Sequence, residues 1–297
     1  MIPAFINPLS GNAEAARSAL KAVGGFDIRE VEPASLADHV RQAIISGDRR
    51  ILVAGGDGSI GSAANAMAGT GTELCILPCG TLNHLAKDLG LPLDLEEAAG
   101  TALRGKPVPV DAAVVNDRIF LNTSSVGAYV SFVRSRERLE RRVGYGIASV
   151  LAGVRLLFRM PTFRVTLQVE GTKRDYVTPL VFIGVGEREL KLPTLGARVE
   201  GGRTGLHVMV VRTRSGGRAL ALGLSAATRG VQALSRTPEL DAFIVDECRI
   251  EPRVPRIAVD GEIVSVRPPL EYRHVPGHLR VIVQPKDAGK ATEKFNE

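Results

Sequence analysis

The sequence has few of the residues that several common protein classes need. It contains no tryptophan, and aromatic residues make up only 4% of its 297 residues. The interleaved aromatic and basic side chains of a groove for single-stranded nucleic acid are therefore missing, and we expect no nucleic-acid partner. Cys75, Cys79 and Cys248 are odd in number and match no zinc spacing, so we predict buried core thiols rather than disulfides.

Long apolar runs are also absent. No uninterrupted apolar stretch reaches the roughly 18 to 20 residues that a membrane-spanning helix needs. The start, residues 1–5, lacks the basic and apolar regions of a signal peptide. We therefore expect a cytoplasmic protein. The net charge of +6 suits anionic partners such as nucleotide phosphates or an acidic membrane surface, so a peripheral position at the inner membrane face is a further expectation.

The pattern of apolar segments changes along the chain. The first hundred residues alternate short apolar strands with helical stretches, which predicts an α/β layer with parallel strands. The continuous apolar run at 51–54 is typical of a strand that is buried on both faces. Beyond about Val110, strand-like segments dominate, interrupted by helices predicted at 130–160 and 217–234. We predict an α/β domain at 1–110, a β-rich domain at 111–285 and a tail at 286–297.

A glycine-rich segment follows the apolar run. Residues 56–61, Gly-Asp-Gly-Ser-Ile-Gly, match G-x-G-x-x-G between a predicted strand and helix, where backbone N–H groups can bind a phosphate. A carboxylate such as Asp57 repels a phosphate unless a divalent cation bridges them or the carboxylate takes a proton. Both roles belong to phosphoryl transfer. The alternative is that Asp57 only caps the following helix or shapes the turn.

A second segment of unusual composition follows the next predicted strand. It is Pro-Cys-Gly-Thr-Leu-Asn-His-Leu-Ala-Lys-Asp-Leu-Gly at 78–90, about twenty residues after the Gly-Gly-Asp-Gly-Ser of 55–59. Together these two motifs resemble the diacylglycerol kinase catalytic-domain family. The resemblance extends to Asn-Pro-Leu-Ser-Gly at 7–11 and to Val-Asp-Gly-Glu at 259–262. Four motifs in the same order therefore span most of the chain.

The resemblance implies a fold and an activity. It implies an N-terminal α/β nucleotide-binding domain and a C-terminal β-sandwich-like domain, with a cleft between them where ATP and Mg²⁺ meet a lipid hydroxyl. The substrate would be diacylglycerol or a similar lipid, and a homodimer is a further candidate assembly. Asp57 is expected near the magnesium ion or the attacking hydroxyl. The residues expected near the nucleotide are Asn7, Ser10, Gly11, Asn12, Gly56, Asp57, Gly58, Ser59, Thr81 and Asn83.

The segment Asp260-Gly261-Glu262 lies between two strand-like stretches. By itself it is a favourable type I′ hairpin turn. The resemblance implies that Glu262 is a catalytic base and that Asp260 is its partner in an acidic cluster. A lipid alcohol must lose its proton during attack, and a positioned carboxylate contributes roughly 10² to 10⁴ in rate. We predict Glu262 as the base, with Asp57 as the rival candidate.

The chain departs from the family pattern at two places. His84 stands where many family members have Asp directly after the Asn, which replaces a candidate metal ligand with imidazole. The alternative for His84 is a pair with Asp88 on one face of a helix. Around 195–202 the family often has an Asp-Gly segment that helps to bind a structural magnesium ion. The nearest acidic residue here is Glu200, which we predict as a metal ligand, with a polar loop as the alternative.

Two other functions stay open. An NAD kinase shares the Gly-Gly-Asp-Gly loop and the two-domain architecture but, by resemblance, lacks the Asn-x-x-Ala-x-Asp-Leu-Gly continuation. A non-catalytic relative that binds lipid or nucleotide is the other alternative, because of His84 and Glu200. Protein kinases and P-loop enzymes are excluded, since the sequence contains neither their glycine-rich loop with its lysine strand nor G-x-x-x-x-G-K-[ST].

Overall fold

The structure is a computed structural model of the chain. It describes residues 1–81, 83–127, 162–189, 197–199, 201–212, 240–252 and 256–284, with a few single positions between 130 and 151. The candidate ligand Glu200, the helix predicted at 217–234 and the tail predicted at 286–297 lie outside these ranges, as does most of the helix predicted at 130–160. In the part of the chain that is described, no helix is long and apolar enough to span a membrane.

The described residues group by contact into two units. Unit 1 contains Met1–Ala112, Arg118–Leu121 and 275–284, and unit 2 contains Ala113–Asp117 and the described part of Asn122–His274. The domain boundaries drawn from the sequence, 1–110 and 111–285, stay a prediction. Residues 275–284, which those boundaries assign to the second domain, group with unit 1.

Unit 1 is built on a parallel sheet. Its strands are β1 (Ile2–Ile6), β2 (Phe26–Glu30), β3 (Arg50–Gly55), β4 (Glu73–Pro78) and the end of β18 (Leu270–Val283). They pair in the order β2-β1-β3-β4-β18, and each of these pairings is parallel. β3 and β4 are buried along nearly their whole length, as expected where crossover helices cover both faces of a sheet.

Five helices in the described part of unit 1 cover this sheet. They are α1 (Ala13–Val23), α2 (Leu36–Ile45), α3 (Asp57–Met67), α4 (His84–Asp88) and α5 (Leu95–Arg104). Because successive side chains of a strand point to opposite faces, β1 and β3 supply two separate cores. Phe5 and Val53 belong to the core that includes residues of α2 and α3. Ile6 and Leu52 belong to the core with α1 and α5.

The other described strands are β5 (Lys106–Val115), β6 (Arg118–Phe120), β7 (Thr123–Gly127), β8 (Phe163–Val169), β9 (Thr172–Thr178), β10 (Leu180–Val185), β11 (Arg188–Glu189), β12 (Ala197–Arg198), β13 (Leu206–Val211), β14 (Leu240–Val245), β15 (Glu247–Pro252), β16 (Arg256–Val259) and β17 (Glu262–Ser265).

Unit 2 is built of antiparallel strands. One sheet has the order β14-β13-β10-β7-β16-β17, and β15 pairs with β8 and with the start of β18, while β9 pairs with β8. This architecture confirms the predicted fold class, an α/β domain followed by a β-rich one.

Candidate functional site

Three loops of unit 1 leave the carboxyl ends of the neighbouring strands β1, β3 and β4. Their described residues are 7–12, Gly56, 79–81 and 83. β2 lies on one side of β1, and β3 and β4 lie on the other side, so the strand order reverses between β1 and β3. In open α/β sheets, ligands bind outside the carboxyl ends of the strands at such a reversal. The predicted nucleotide-binding residues all lie on these loops or in the first turn of α3.

The loops after β3 and β4 touch through glycines. A Cβ atom on Gly80 would lie 2.5 Å from the Cα of Gly56, and one on Gly56 would lie 3.2 Å from the Cα of Gly80. The Cys79 N–H also donates to the Gly55 carbonyl at 3.0 Å. Only glycine permits this approach of two backbones. The two sequence motifs therefore form one surface of the protein, because their glycines pack against each other.

Side chains of the loop after β1 join it to the other two. Asn7 Nδ2 donates to Ser59 Oγ at 3.1 Å, and its Oδ1 accepts the Leu9 N–H at 2.9 Å. Ser10 Oγ donates to the Cys79 carbonyl at 2.8 Å. Asn7, Ser10 and Ser59, which we predicted near the nucleotide, therefore use these side chains to connect the loops. Their predicted role beside the nucleotide stays a prediction.

Asn83 closes the loop after β4 on itself. Its Oδ1 accepts the Gly80 N–H at 3.0 Å, and its Nδ2 donates to the Gly80 carbonyl at 2.8 Å. Asn83 has a φ of 51°, in the left-handed region that Asn tolerates better than most residues. This conformation directs the chain into α4 directly after the glycine contact.

Asp57 connects the loop after β3 to α4. It is the first residue of α3, yet its Oδ1 accepts the backbone N–H of His84, the first residue of α4, at 2.8 Å. The N-cap position of α3 is Gly56, and no side chain caps this helix. Asp57 therefore does not cap its own helix, which was one of the two alternatives that the sequence left open. The other alternative, that Asp57 shapes the turn, is not tested by this contact. Among the described residues, no group donates to Asp57 Oδ2.

Several predicted site residues are open to solvent, whereas Ser59 is buried. The first turn of α3 also has N–H groups that receive no side-chain cap, and such groups favour an anion. The exposed loop surface and this helix turn together fit a phosphate-binding site. Its exposed residues are Gly11, Asn12, Gly58, Thr81 and His84.

In unit 2, Asp260 and Gly261 form the predicted hairpin turn. Their φ values of 46° and 88° are both positive, as a type I′ turn requires, and Val259 pairs with Glu262 across it. Glu262 is the first residue of β17 and is exposed. The Asp260 Oδ1 accepts the N–H groups of Asn122 and Thr123, each at 2.9 Å. Asp260 therefore anchors the turn, and its predicted catalytic partnership with Glu262 stays a prediction.

The comparison with known families agrees with these motifs. The diacylglycerol kinase catalytic domain matches residues 2–115, which contain all three loops of the candidate site. Residues 2–115 of this chain belong to the diacylglycerol kinase catalytic-domain family.

Curated relatives of this chain match it over part of their length. It is 31% identical to a probable YegS-like lipid kinase from Cronobacter sakazakii, over 52% of this chain and 53% of the relative. It is 27% identical to an uncharacterized protein from Synechocystis, over 79% of this chain and 55% of the relative. The chain thus spans about half the length of these relatives.

Solved structures match the fold over nearly the whole chain. A diacylglycerol kinase from Bacillus anthracis gives a TM-score of 0.69 at 20% sequence identity, covering 96% of this chain and 97% of that one. A second chain from the same organism gives a TM-score of 0.74 at 22% identity with the same coverage. At these identities the likeness shows the shared fold alone.

In the described part of the chain, Asp57 is a suitable carboxylate for a magnesium ion. Among the described residues, no cluster of three or more His, Cys, Asp or Glu side chains forms an all-protein metal site. Mg²⁺ is commonly bound by one or two carboxylates together with substrate phosphates. Asp57 fits that mode of binding, since no described residue donates to its Oδ2 and it lies in the helix turn whose N–H groups have no side-chain cap. Glu200 lies outside the described residues.

The three cysteines are buried thiols without disulfide partners, as the sequence predicted. Burial raises the pKa of Cys79 to about 11 and that of Cys248 to about 12, and it raises the pKa of Cys75 as well. A thiol with a raised pKa is a poor nucleophile at neutral pH, because only the thiolate reacts. Cys79 therefore contributes its backbone to the loop contacts, and no thiol chemistry is expected there.

Sequence reasoning missed a polar network in unit 2. The Arg188 Nη1 donates to Asn122 Oδ1 at 2.6 Å, and the Arg188 N–H donates to His207 Nδ1 at 3.0 Å. Arg188 and His207 are both buried, with exposed fractions of 2% and 4%. The only sequence signal was a group of charged residues directly after the apolar strand β10. Such a group more often marks a surface loop.

Proposed function

We propose that this chain is an ATP-dependent lipid kinase that phosphorylates a hydroxyl of diacylglycerol or a similar neutral glycerolipid. The observation that carries the proposal is the convergence of three family motifs at the strand-order reversal, with the Asp57 carboxylate beside an uncapped helix turn. The family membership of residues 2–115 supports the kinase chemistry. The relationship to a probable lipid kinase supports a lipid as the acceptor.

The loops of unit 1 would bind the nucleotide. Backbone N–H groups at Gly58 and Ser59, in the first turn of α3, suit the phosphates, because they carry no intrahelical bond there. The Gly56–Gly80 contact leaves both loops without side chains where a phosphate would approach. Thr81 and Asn12 are exposed at the neighbouring loops and complete the proposed nucleotide site.

Asp57 would hold the magnesium ion that accompanies ATP. When bound, such an ion offsets the charge of the β- and γ-phosphates and of the group in transfer. The Asp57 carboxylate is oriented for this task by the His84 N–H, which occupies Oδ1. His84 thus acts through its backbone, so the replacement of the family's Asp by His at this position does not remove the contact.

Glu262 would act as the general base. In the proposed reaction the lipid oxygen forms a bond to the γ-phosphorus, the bond from that phosphorus to the oxygen bridging it to the β-phosphate breaks, and ADP leaves. The proton of the lipid hydroxyl passes to the Glu262 carboxylate. Glu262 is exposed on β17 directly after the anchored turn, which suits a group that must reach a substrate proton.

The deciding experiment measures transfer of labelled γ-phosphate from ATP and Mg²⁺ by the purified protein in mixed micelles. Diacylglycerol, sphingosine, phosphatidylglycerol and NAD are offered separately. We expect label in diacylglycerol. Label in another lipid would change the substrate but keep the lipid kinase, whereas label in NAD alone would establish the rival NAD kinase. ATP binding without label in any acceptor would contradict the proposed function.

A further inference from the structure

The turn that carries Glu262 is hydrogen-bonded to a short segment of unit 2, residues 122–123. Asp260 Oδ1 accepts two backbone N–H groups, from Asn122 and Thr123, each at 2.9 Å. The Asp260 N–H donates to the Thr123 carbonyl at 2.8 Å. Hydrogen bonds to an ionised carboxylate are stronger than neutral ones. The position of the turn therefore depends on where Asn122 and Thr123 are held.

Asn122 is itself held on its other side. Its carbonyl accepts the Val185 N–H at 3.0 Å, and its side-chain Oδ1 accepts Arg188 Nη1 at 2.6 Å. The backbone N–H of Asn122 faces the Asp260 carboxylate, while its side chain faces a guanidinium. Asn122 thus connects a buried cation to the carboxylate that anchors the turn.

Arg188 is fixed by contacts that a flexible surface arginine would not have. Its exposed fraction is 2%, and its Nε donates to the Val185 carbonyl at 2.9 Å. Gly184 leaves the room that the side chain occupies, since a Cβ there would lie 2.3 Å from the Arg188 Cγ. The Arg188 N–H donates to His207 Nδ1 at 3.0 Å. Both the backbone and the guanidinium of Arg188 are therefore held in one position.

A buried arginine needs an explanation, because a guanidinium loses its hydration on burial and is rarely retained for stability alone. Its planar group can donate to two acceptors at a fixed angle, which an ammonium cannot do. Here its Nε donates to the Val185 carbonyl on β10, and its Nη1 donates to the Asn122 side chain, which leads to the turn. The guanidinium therefore fixes Asn122 relative to β10, and Asn122 fixes Asp260.

We propose that Arg188 is a positioning residue that holds the Asp260-Gly261-Glu262 turn in its working geometry through Asn122. This inference rests on the proposed function in so far as Glu262 is the base. It adds two residues that the family motifs do not contain. A displacement of about 1 Å of a reacting group can cost roughly 10²-fold in rate, so loss of this support should lower turnover while nucleotide binding is unaffected.

The test compares Arg188→Met, Asn122→Ala and the double variant in the lipid kinase assay. We expect each single variant to lower kcat about 10- to 100-fold, with the KM for ATP within about twofold of the unaltered protein. Because both residues act in one chain of contacts, the double variant should lose little more than either single one. The proposal would be overturned if the fold-loss in kcat of the double variant equalled the product of the two single losses. A normal kcat in either single variant would also overturn it.

A second readout does not depend on activity. Deuterium exchange at the Asn122 and Thr123 amides, which donate to Asp260, should be faster in Arg188→Met. The control is Arg198→Met, since Arg198 donates to the same Val185 carbonyl at 3.2 Å, and it should leave these amides unchanged. Unchanged exchange in Arg188→Met would refute the positioning role.

If the unaltered protein phosphorylates no acceptor, the proposed function fails, and the exchange result alone decides whether Arg188 holds the turn. Should Arg188→Met not fold, Asn122→Ala carries both measurements.

Discussion

At the scale of single residues, Asp57 combines an observed structural contact with a proposed chemical task. Its Oδ1 accepts the His84 N–H at 2.8 Å, and the proposed task is to bind a magnesium ion through its charge. Asp57→Asn keeps an oxygen for the His84 contact but removes the charge. We expect turnover to fall roughly 10²-fold or more while the fold is retained. Kinase assays and circular dichroism on the variant check this expectation.

The control for this change is Asp94→Asn. Asp94 is the N-cap of α5 and accepts the Glu97 N–H at 2.9 Å, and asparagine caps helices about as well as aspartate. Asp94→Asn should therefore keep both turnover and stability. A near-normal rate in Asp57→Asn would remove Asp57 from the catalytic candidates.

Glu262 allows a second test of the same kind. Glu262→Gln removes the proposed base but keeps the length and polarity of an exposed side chain, so the fold should survive and turnover should fall about 10²-fold or more. Glu247 is exposed at the first position of β15 in the same unit and provides the matched control, because Glu247→Gln should leave kcat unchanged. Equal rates for the two variants would assign the base to another residue.

At the scale of elements, the contact between the loops after β3 and β4 is set by two glycines. A methyl group on Gly80 would meet the backbone of Gly56 at 2.5 Å, and backbone cannot yield as a flexible side chain does. We expect Gly80→Ala to separate the loops and weaken ATP binding about 10-fold or more. Isothermal titration with ATP and Mg²⁺ measures this effect.

Gly61 supplies the control for the loop contact. It belongs to the same G-x-G-x-x-G pattern but lies inside α3. A Cβ atom added at Gly61 would meet nothing within 4 Å. Gly61→Ala should keep ATP affinity and stabilise the protein by roughly 0.5 to 1 kcal/mol, because alanine favours the helix. Equal ATP affinities for Gly80→Ala and Gly61→Ala would show that the Gly56–Gly80 contact does not shape the nucleotide site.

The elements differ in how far the sequence could predict them. The apolar run at 51–54 predicted a fully buried strand, and the structure has β3 there, because a continuous apolar run suits a strand covered on both faces. The Asp57–His84 and Ser10–Cys79 contacts could not be predicted, since they join positions 27 and 69 residues apart along the chain. Arg188 was missed because arginine is nearly always exposed.

At the scale of the whole molecule, the buried polar network links stability to pH. Burial lowers the pKa of His207 below its usual value of 6.5, and this effect outweighs the opposing influence of the Glu187 carboxylate. Arg203 and the Arg188 guanidinium also act to lower the pKa, and the Arg188 N–H donates to Nδ1, which can accept this bond only while it is unprotonated. The ring is therefore neutral in the folded protein at pH 7.

A histidine with a depressed folded pKa stabilises the fold fully only above its unfolded pKa. As the pH falls below about 6.5, the unfolded chain takes up the proton first, so the free energy of unfolding decreases. The decrease continues until the folded pKa is passed. Protonation in the folded state would also remove the acceptor for the Arg188 N–H and place a second positive charge beside the guanidinium.

Urea unfolding at pH 7.5, 6.5 and 5.5 measures this dependence. Other carboxylates and histidines titrate in the same range, so the informative quantity is the difference between the unaltered protein and His207→Gln. Glutamine cannot take up a proton, and the difference in unfolding free energy should shrink as the pH falls. If this difference in unfolding free energy stays constant from pH 7.5 to 5.5, His207 binds a proton equally well in the folded and unfolded chains. That outcome would contradict the expected effect of burying His207 beside Arg188.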